Sequence, residues 1–150
     1  MTLSHIDDSG AARMVDISGK PPVTRRARAS ARICMAPETV ALIRDGLIKK
    51  GDVLAIARVA GIGAAKRTSE LIPLCHAIRI DCVSVDFELC YDSIAIETSA
   101  VCTDKTGIEM EALTAASVAA LTIYDMCKAA DRNMRITDLL LLEKTKSEEA

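Results

Sequence analysis

Between Glu109 and Ala130 the chain reads "EMEALTAASVAALTIYDMCKAA". Alanine, leucine and other apolar residues fill most positions, so the run predicts one long helix. Glu111, Thr114, Ser117, Leu121, Asp125, Lys128 and Arg132 follow one another at steps of three or four and form one narrow stripe. Around most of its circumference such a helix is apolar. It has to be covered on several sides, by a sheet or by another subunit, and its stripe then lines a crevice. The plainer reading of Asp125 and Lys128 is an exposed i, i+3 pair contributing a few tenths of a kcal/mol. Spacing alone leaves both open.

What covers the helix is written just before it. "VSVDFEL" sets Val83, Val85, Phe87 and Leu89 on one face and Ser84, Asp86 and Glu88 on the other, and "SIAIETSAVC" alternates likewise from Ile94. The short "CYDS" between them predicts an antiparallel hairpin. Upstream, "SARICM" reads as a first strand. "APETVALIRDG" reads as a short helix with Pro37 in its first turn, Glu38 early and Gly46 at its end. Asp52 is a candidate N-cap for a second helix, "VLAIARVAGIGAAKRTSELI", which Pro73 stops. "MRITDLLLL" closes as the last strand. The order strand, two helices, strand, strand, helix, strand predicts an α+β fold of the ferredoxin-like, split βαβ kind: an antiparallel sheet covered by helices, with an extra helix in the first crossover. Residues 1–29, with "GKPP" and the basic "RRAR", read as a partly irregular arm, 30–143 as a single α+β domain, and 144–150 as a polar tail.

At 150 residues one domain can bury a core without disulfides or a structural metal. Only Phe87, Tyr91 and Tyr124 are aromatic, so aliphatic residues and methionine must fill that core. The same scarcity removes the stacking platforms of single-strand nucleic-acid binders. A net charge of −2 leaves no basic footprint for a nucleic-acid backbone. The N-terminus is acidic and polar, unlike a signal peptide, and no apolar run is long enough to span a bilayer, which points to the cytoplasm and away from membranes. Six cysteines without a CxxC pair suit reduced thiols used as small hydrophobes. Cys75 and His76 are the one tempting ligand pair. Adjacent residues of an extended chain face opposite ways, so no metal site is expected there.

"GIGAAKRT" at 61–68 meets neither the Walker A nor the G-x-G-x-x-G spacing, and "KTG" at 105–107 has no S-x-x-K partner. What remains is a set of charged residues at expected element ends: Lys49, Lys50, Lys66, Arg67, His76, Lys105, Glu109, Glu111, Asp125 and Lys128. Such residues are commonly solvated surface. Together they also suit a phosphorylated metabolite, with cations on phosphates and carboxylates on amine or amide groups. A lysine crowded by other cations holds its proton less tightly and can do acid–base work near neutral pH. A ligand-binding or purely structural oligomer remains a competing reading of the same residues.

Three stretches carry a resemblance. "MVDIS", "KGDVLAIARVAGIGAAKRTSELIPLCH" and "KTGIEMEALTAASVAALTIYDMCKA" resemble the molybdenum-cofactor biosynthesis protein C family, the cyclic pyranopterin monophosphate synthases, in the family's own order from about His5 to Leu142. The resemblance implies a ferredoxin-like subunit assembled as a homohexamer, a trimer of dimers, with sites at subunit interfaces. It implies conversion of 3′,8-cyclo-7,8-dihydro-GTP, made by a radical S-adenosylmethionine enzyme, to cyclic pyranopterin monophosphate with release of pyrophosphate. No metal or organic cofactor is implied for that step.

By matching motif, the resemblance implies a catalytic aspartate at Asp125 and catalytic lysines at Lys50 and Lys128. It implies substrate contacts at Leu74, Cys75 and His76, at Met110 and Glu111, and at Glu109 and Lys66, with Lys20 and Arg25 in a basic arm. The chemistry agrees: a triphosphate needs cations, ring opening needs proton transfers, and loss of pyrophosphate needs leaving-group charge to be stabilised. Two positions depart from the family pattern. Ala77 stands where proline is expected after His76, and Asp104 where glycine is expected before "KTG". A catalytically inactive relative that binds a nucleotide-like ligand is the main alternative.

Overall fold

The computed structural model describes residues 6, 7 and 9–147; the outermost parts of the expected arm and tail, residues 1–5, 8 and 148–150, lie outside the described residues. Strand β1 (Val23–Cys34) leads into helices α1 (Pro37–Arg44), α2 (Val53–Ala65) and α3 (Thr68–Leu71). The hairpin β2 (Ile80–Leu89) and β3 (Ser93–Asp104) follows, then α4 (Glu109–Cys127) and β4 (Arg135–Ser147). The four strands lie in the order β2-β3-β1-β4, and each neighbouring pair is antiparallel. The class is α+β, as expected. Among the described residues, no helix is long and apolar enough to cross a membrane.

Three boundaries differ from the sequence reading. β1 begins at Val23, ahead of the basic run and taking it in, because Ala27, Ala29, Ala31 and Ile33 alternate inward while Arg26, Arg28, Ser30 and Arg32 alternate outward. β4 runs on through the polar residues to Ser147, since β1 is long enough to pair with them: Thr24 faces Ser147 and Arg28 faces Glu143. The single helix expected over 53–72 is two. α2 ends at Ala65, and Thr68 Oγ1 donates to the Ala65 carbonyl at 3.0 Å, a side-chain bond that competes with continued helix.

The core fills the space between one face of the sheet and the helices α2 and α4. Ile33, Ile94, Ile96 and Ile123 are fully buried there, each worth about 1.5–3 kcal/mol. Aligned pairs of the ladder, Ala27 with Ala100, Ala31 with Ile96 and Ile33 with Ile94, present small and large side chains to α4. α4 answers with Ala112, Ala115, Ala116, Ala119 and Ala120, all fully buried. That alanine face lets α2 come close enough that a Cβ on Gly61 would stand 3.0 Å from the Ala115 carbonyl oxygen. Buried Thr98 ties sheet to helix by donating to the Ala112 carbonyl at 2.7 Å.

The α1–α2 connection is built by local turn chemistry. Gly46 has φ +68°, the Leu47 amide donates to the Leu42 carbonyl and the Gly46 amide to that of Ile43, which together make a Schellman stop for α1. Asp52 caps α2 as expected, accepting from the Ala55 amide at 3.0 Å. Between them Gly51, with φ +104°, turns the chain just after Lys50.

Candidate active site

That turn delivers Lys50 to the C-terminal end of α4. Its Nζ donates to Asp125 Oδ2 at 2.7 Å and to the Asp125 backbone carbonyl at 2.9 Å. Lys128, the C-cap residue of α4, pairs with the other carboxylate oxygen, Oδ1, also at 2.7 Å. One carboxylate thus bridges two ammonium groups at a helix end whose dipole favours cations. Hydrogen bonds and charge from Lys128 first, and Lys50 second, hold Asp125 down at about 2. In return Asp125 raises the pKa of Lys128. The sequence reading had cation crowding loosening a lysine proton. The intervening carboxylate reverses that for Lys128, which holds its proton more tightly.

At the other end of α4 a second group converges. Leu74, Cys75, His76, Thr106, Gly107, Glu109, Met110 and Glu111 line a cleft of about 160 Å³. His76 Nε2 lies 2.7 Å from the Val15 carbonyl oxygen. A carbonyl can only accept, so Nε2 carries a hydrogen. Lys105 Nζ donates to the Ser18 carbonyl at 2.9 Å, so two contacts bind the 15–18 segment to this end of the molecule. Glu109 Oε1 pairs with Lys144 Nζ at 2.6 Å. Gly107 is required for that approach, since a Cβ there would overlap the Glu109 carboxylate. Glu111 is only 3 % exposed, and burial, chiefly, with the Glu109 charge raises its pKa to about 7 against the bond from its own amide. Burial likewise pushes the Cys75 thiol up.

The remaining expected residues stand apart. Lys66 lines a neighbouring cleft of about 420 Å³ with Ile62, Asp81 and Cys82; Ile78 borders both clefts. Arg25 donates to the carbonyls of Asp104 and Lys105 at 3.0 and 3.1 Å, fastening the loop before α4. Lys20 closes an exposed turn, its amide donating to the Ile17 carbonyl at 3.1 Å. Asp104, one of the two departures, turns its carboxylate onto the Lys105 amide at 2.6 Å. Lys144 went unnoticed in the sequence because its segment reads as tail; its inclusion follows only from the extra length of β4.

From Glu111 to Asp125 is fourteen residues, about 21 Å along the helix axis. The ionic trio and the cleft therefore do not meet within one chain.

A family model described as the MoaC family matches residues 14–147, nearly the whole chain. The chain belongs to the MoaC family. Among MoaC relatives, the cyclic pyranopterin monophosphate synthase of Peptoclostridium acidaminophilum is 56% identical over 145 residues, covering 97% of this chain and 92% of the relative. Cyclic pyranopterin monophosphate synthase 1 of Mycobacterium bovis is 56% identical over 146 residues, covering 97% and 86%. The molybdenum cofactor biosynthesis bifunctional protein of Chlorobaculum tepidum is 54% identical over 145 residues; this MoaC chain spans 46% of its length.

Proposed function

We propose that this chain is a cyclic pyranopterin monophosphate synthase of molybdenum cofactor biosynthesis, a lyase acting in the cytoplasm. Its substrate is 3′,8-cyclo-7,8-dihydro-GTP, supplied by a radical S-adenosylmethionine enzyme, and its products are cyclic pyranopterin monophosphate and pyrophosphate. One observation carries the reading: Asp125 lies 2.7 Å from both Lys50 Nζ and Lys128 Nζ, in a chain that matches synthases over nearly its full length. Such a trio offers protons and positive charge together, which ring rearrangement and loss of pyrophosphate both need. Lys50 and Lys128 transfer protons and Asp125 orients them. Leu74, Cys75, His76, Glu109, Met110 and Glu111 contact the substrate, and Lys66, Lys20 and Arg25 serve its phosphates.

The strand order β4-β1-β3-β2 with α2 and α4 on one face supports a ferredoxin-like subunit. The separation of trio and cleft supports assembly. Antiparallel, two-fold pairing of copies sets the trio of one against the cleft of the next, as in a trimer of dimers. Val59 and Leu121, 71 and 57 % exposed in the single chain, offer apolar surface for such contacts.

The test follows pyrophosphate and the oxidised, fluorescent pterin together, from enzymatically generated substrate, in wild type and Lys50→Ala. Wild type is expected to give both products, and the variant to bind substrate but lose turnover by about 10²–10⁴-fold. Binding without either product in wild type would overturn the enzymatic reading in favour of an inactive binder.

A further inference from the structure

Among the described residues, two buried side-chain oxygens have no hydrogen-bond partner: Glu109 Oε2 and Glu111 Oε2. Both residues line the same cleft. Their situations differ. Glu109 is balanced through its other oxygen by Lys144 of β4. Among the described residues no cation forms an ion pair with Glu111, whose carboxyl accepts from its own amide. The titratable groups around it are Glu109 on α4, Cys75 and His76 on the loop after α3, and Cys102 on β3. Glu109 opposes a second charge nearby, and the two thiols are themselves raised by burial. An oxygen in this setting wants either a proton of its own or a donor from a ligand.

We propose that Glu111 is a catalytic acid–base residue, holding a proton on its buried carboxyl beside the cleft and passing it to the ring system of the substrate. The proposal rests on the synthase reading and extends it, since matching motifs give Glu111 substrate contact alone. In the ring-opening part of the reaction a C–N bond of the purine-derived ring breaks and its electron pair stays on nitrogen. That nitrogen gains the proton from Glu111. The carboxylate left behind takes a proton back from the hydroxyl or amine that closes the next ring, so no proton is consumed over the cycle. Burial that makes the carboxyl hard to ionise poises it near 7, where donation and recapture are both easy.

Glu111→Gln keeps the shape and can still hydrogen-bond, but it cannot transfer a proton. With wild type run alongside, single-turnover kinetics on 3′,8-cyclo-7,8-dihydro-GTP are expected to slow by about 10²-fold or more, with affinity changed only a few-fold. Because the protonated form is the active one, wild-type rate should fall as pH rises through about 7, and the variant should lack that limb. Glu111→Asp, which keeps the carboxyl, should restore part of it. Infrared difference spectra of the substrate-free protein give a second readout: a carboxyl C=O band that titrates near neutrality and is missing from Glu111→Gln. An unchanged rate and pH profile, or weaker binding at unchanged turnover, would overturn the role, as would a carboxylate ionised throughout pH 5–8. Turnover by wild type alongside an unaffected Glu111→Gln sinks this role alone; absence of wild-type turnover sinks the synthase reading with it.

Discussion

Gly61 and Gly63 sit two residues apart in α2, and replacing each with alanine separates close packing from helix propensity. Both substitutions gain up to about 1 kcal/mol of propensity, since glycine is that much poorer than alanine inside a helix. At Gly63 the new Cβ meets nothing within 4 Å, so the gain stands. At Gly61 it meets the Ala115 carbonyl oxygen at 3.0 Å, Val85 Cγ2 at 3.1 Å and Ala119 Cβ at 3.4 Å. The nearest of these is α4 backbone, which cannot swing aside as a flexible side-chain tip would, and overpacking of this kind costs about 1–3 kcal/mol. Gly63→Ala should therefore be more stable than wild type by up to about 1 kcal/mol. Gly61→Ala should be less stable than Gly63→Ala by about 1–3 kcal/mol, or roughly 2–12 °C in Tm for a chain of this size. Denaturant unfolding of both variants at one fixed protein concentration compares them under the same concentration-dependent contribution from any assembly. Equal stabilisation by both substitutions would refute the tight α2–α4 contact.

Three further outcomes follow from the site. Asp125 stays ionised until pH falls to about 2, so its ion pairs hold across neutral pH and are lost only as pH falls through that value. Asp125→Asn should lower the pKa of Lys128, read by NMR at Nζ, and cut kcat/KM by about 10²-fold or more. Folded Glu111 binds its proton more tightly than the unfolded carboxyl, so its ionisation opposes folding. The cost is absent below pH 4.5, grows between 4.5 and about 7 and is full above that; at about 1.4 kcal/mol per pH unit it reaches about 3 kcal/mol as an upper bound. The stability of Glu111→Gln relative to wild type should rise across that window, and a pH-independent difference in urea unfolding would contradict it. Gly107→Ala puts a Cβ into the Glu109 carboxylate and 2.9 Å from Lys144 Nζ. It should part that pair and raise KM, while an exposed pair of this kind costs stability only about 0–1 kcal/mol.

Which parts of this molecule could be read from its residues depended on how sharply each residue type marks its environment. β2 and β3 were legible because Val, Ile and Phe alternate with Asp, Glu and Ser at period two. β1 alternates just as strictly, but its inward residues are mostly alanine, which marks neither strand nor core, and its arginines resemble a basic arm. β4 beyond Leu142 is exposed and polar; only its ladder to β1 makes it strand. The end of α2 was hidden because "AAKRTSEL" has good helical propensity throughout, and a bond from one threonine side chain decides it. In the site, the i, i+3 spacing placed Asp125 beside Lys128, while Lys50 joined them only through a turn set by two positive-φ glycines. The stripe on α4 was legible as a line, yet its two ends have opposite surroundings: Glu111 and Thr114 are buried and Asp125 and Lys128 exposed. Periodicity along a helix says which residues share a side, not what covers each part of it.

α4 also acts as a gauge. It keeps the trio and the cleft about 21 Å apart and on a common side through nothing but its residue count. One residue added between Glu111 and Asp125 would turn one end by about 100° against the other and lengthen the gap by about 1.5 Å. A loop of any length can be redrawn while its ends stay put; this segment cannot, because every position in it is a unit of both distance and angle. Length changes should therefore be tolerated in the turn at Cys90–Asp92 far better than anywhere between the two ends of α4, however inert the inserted residue.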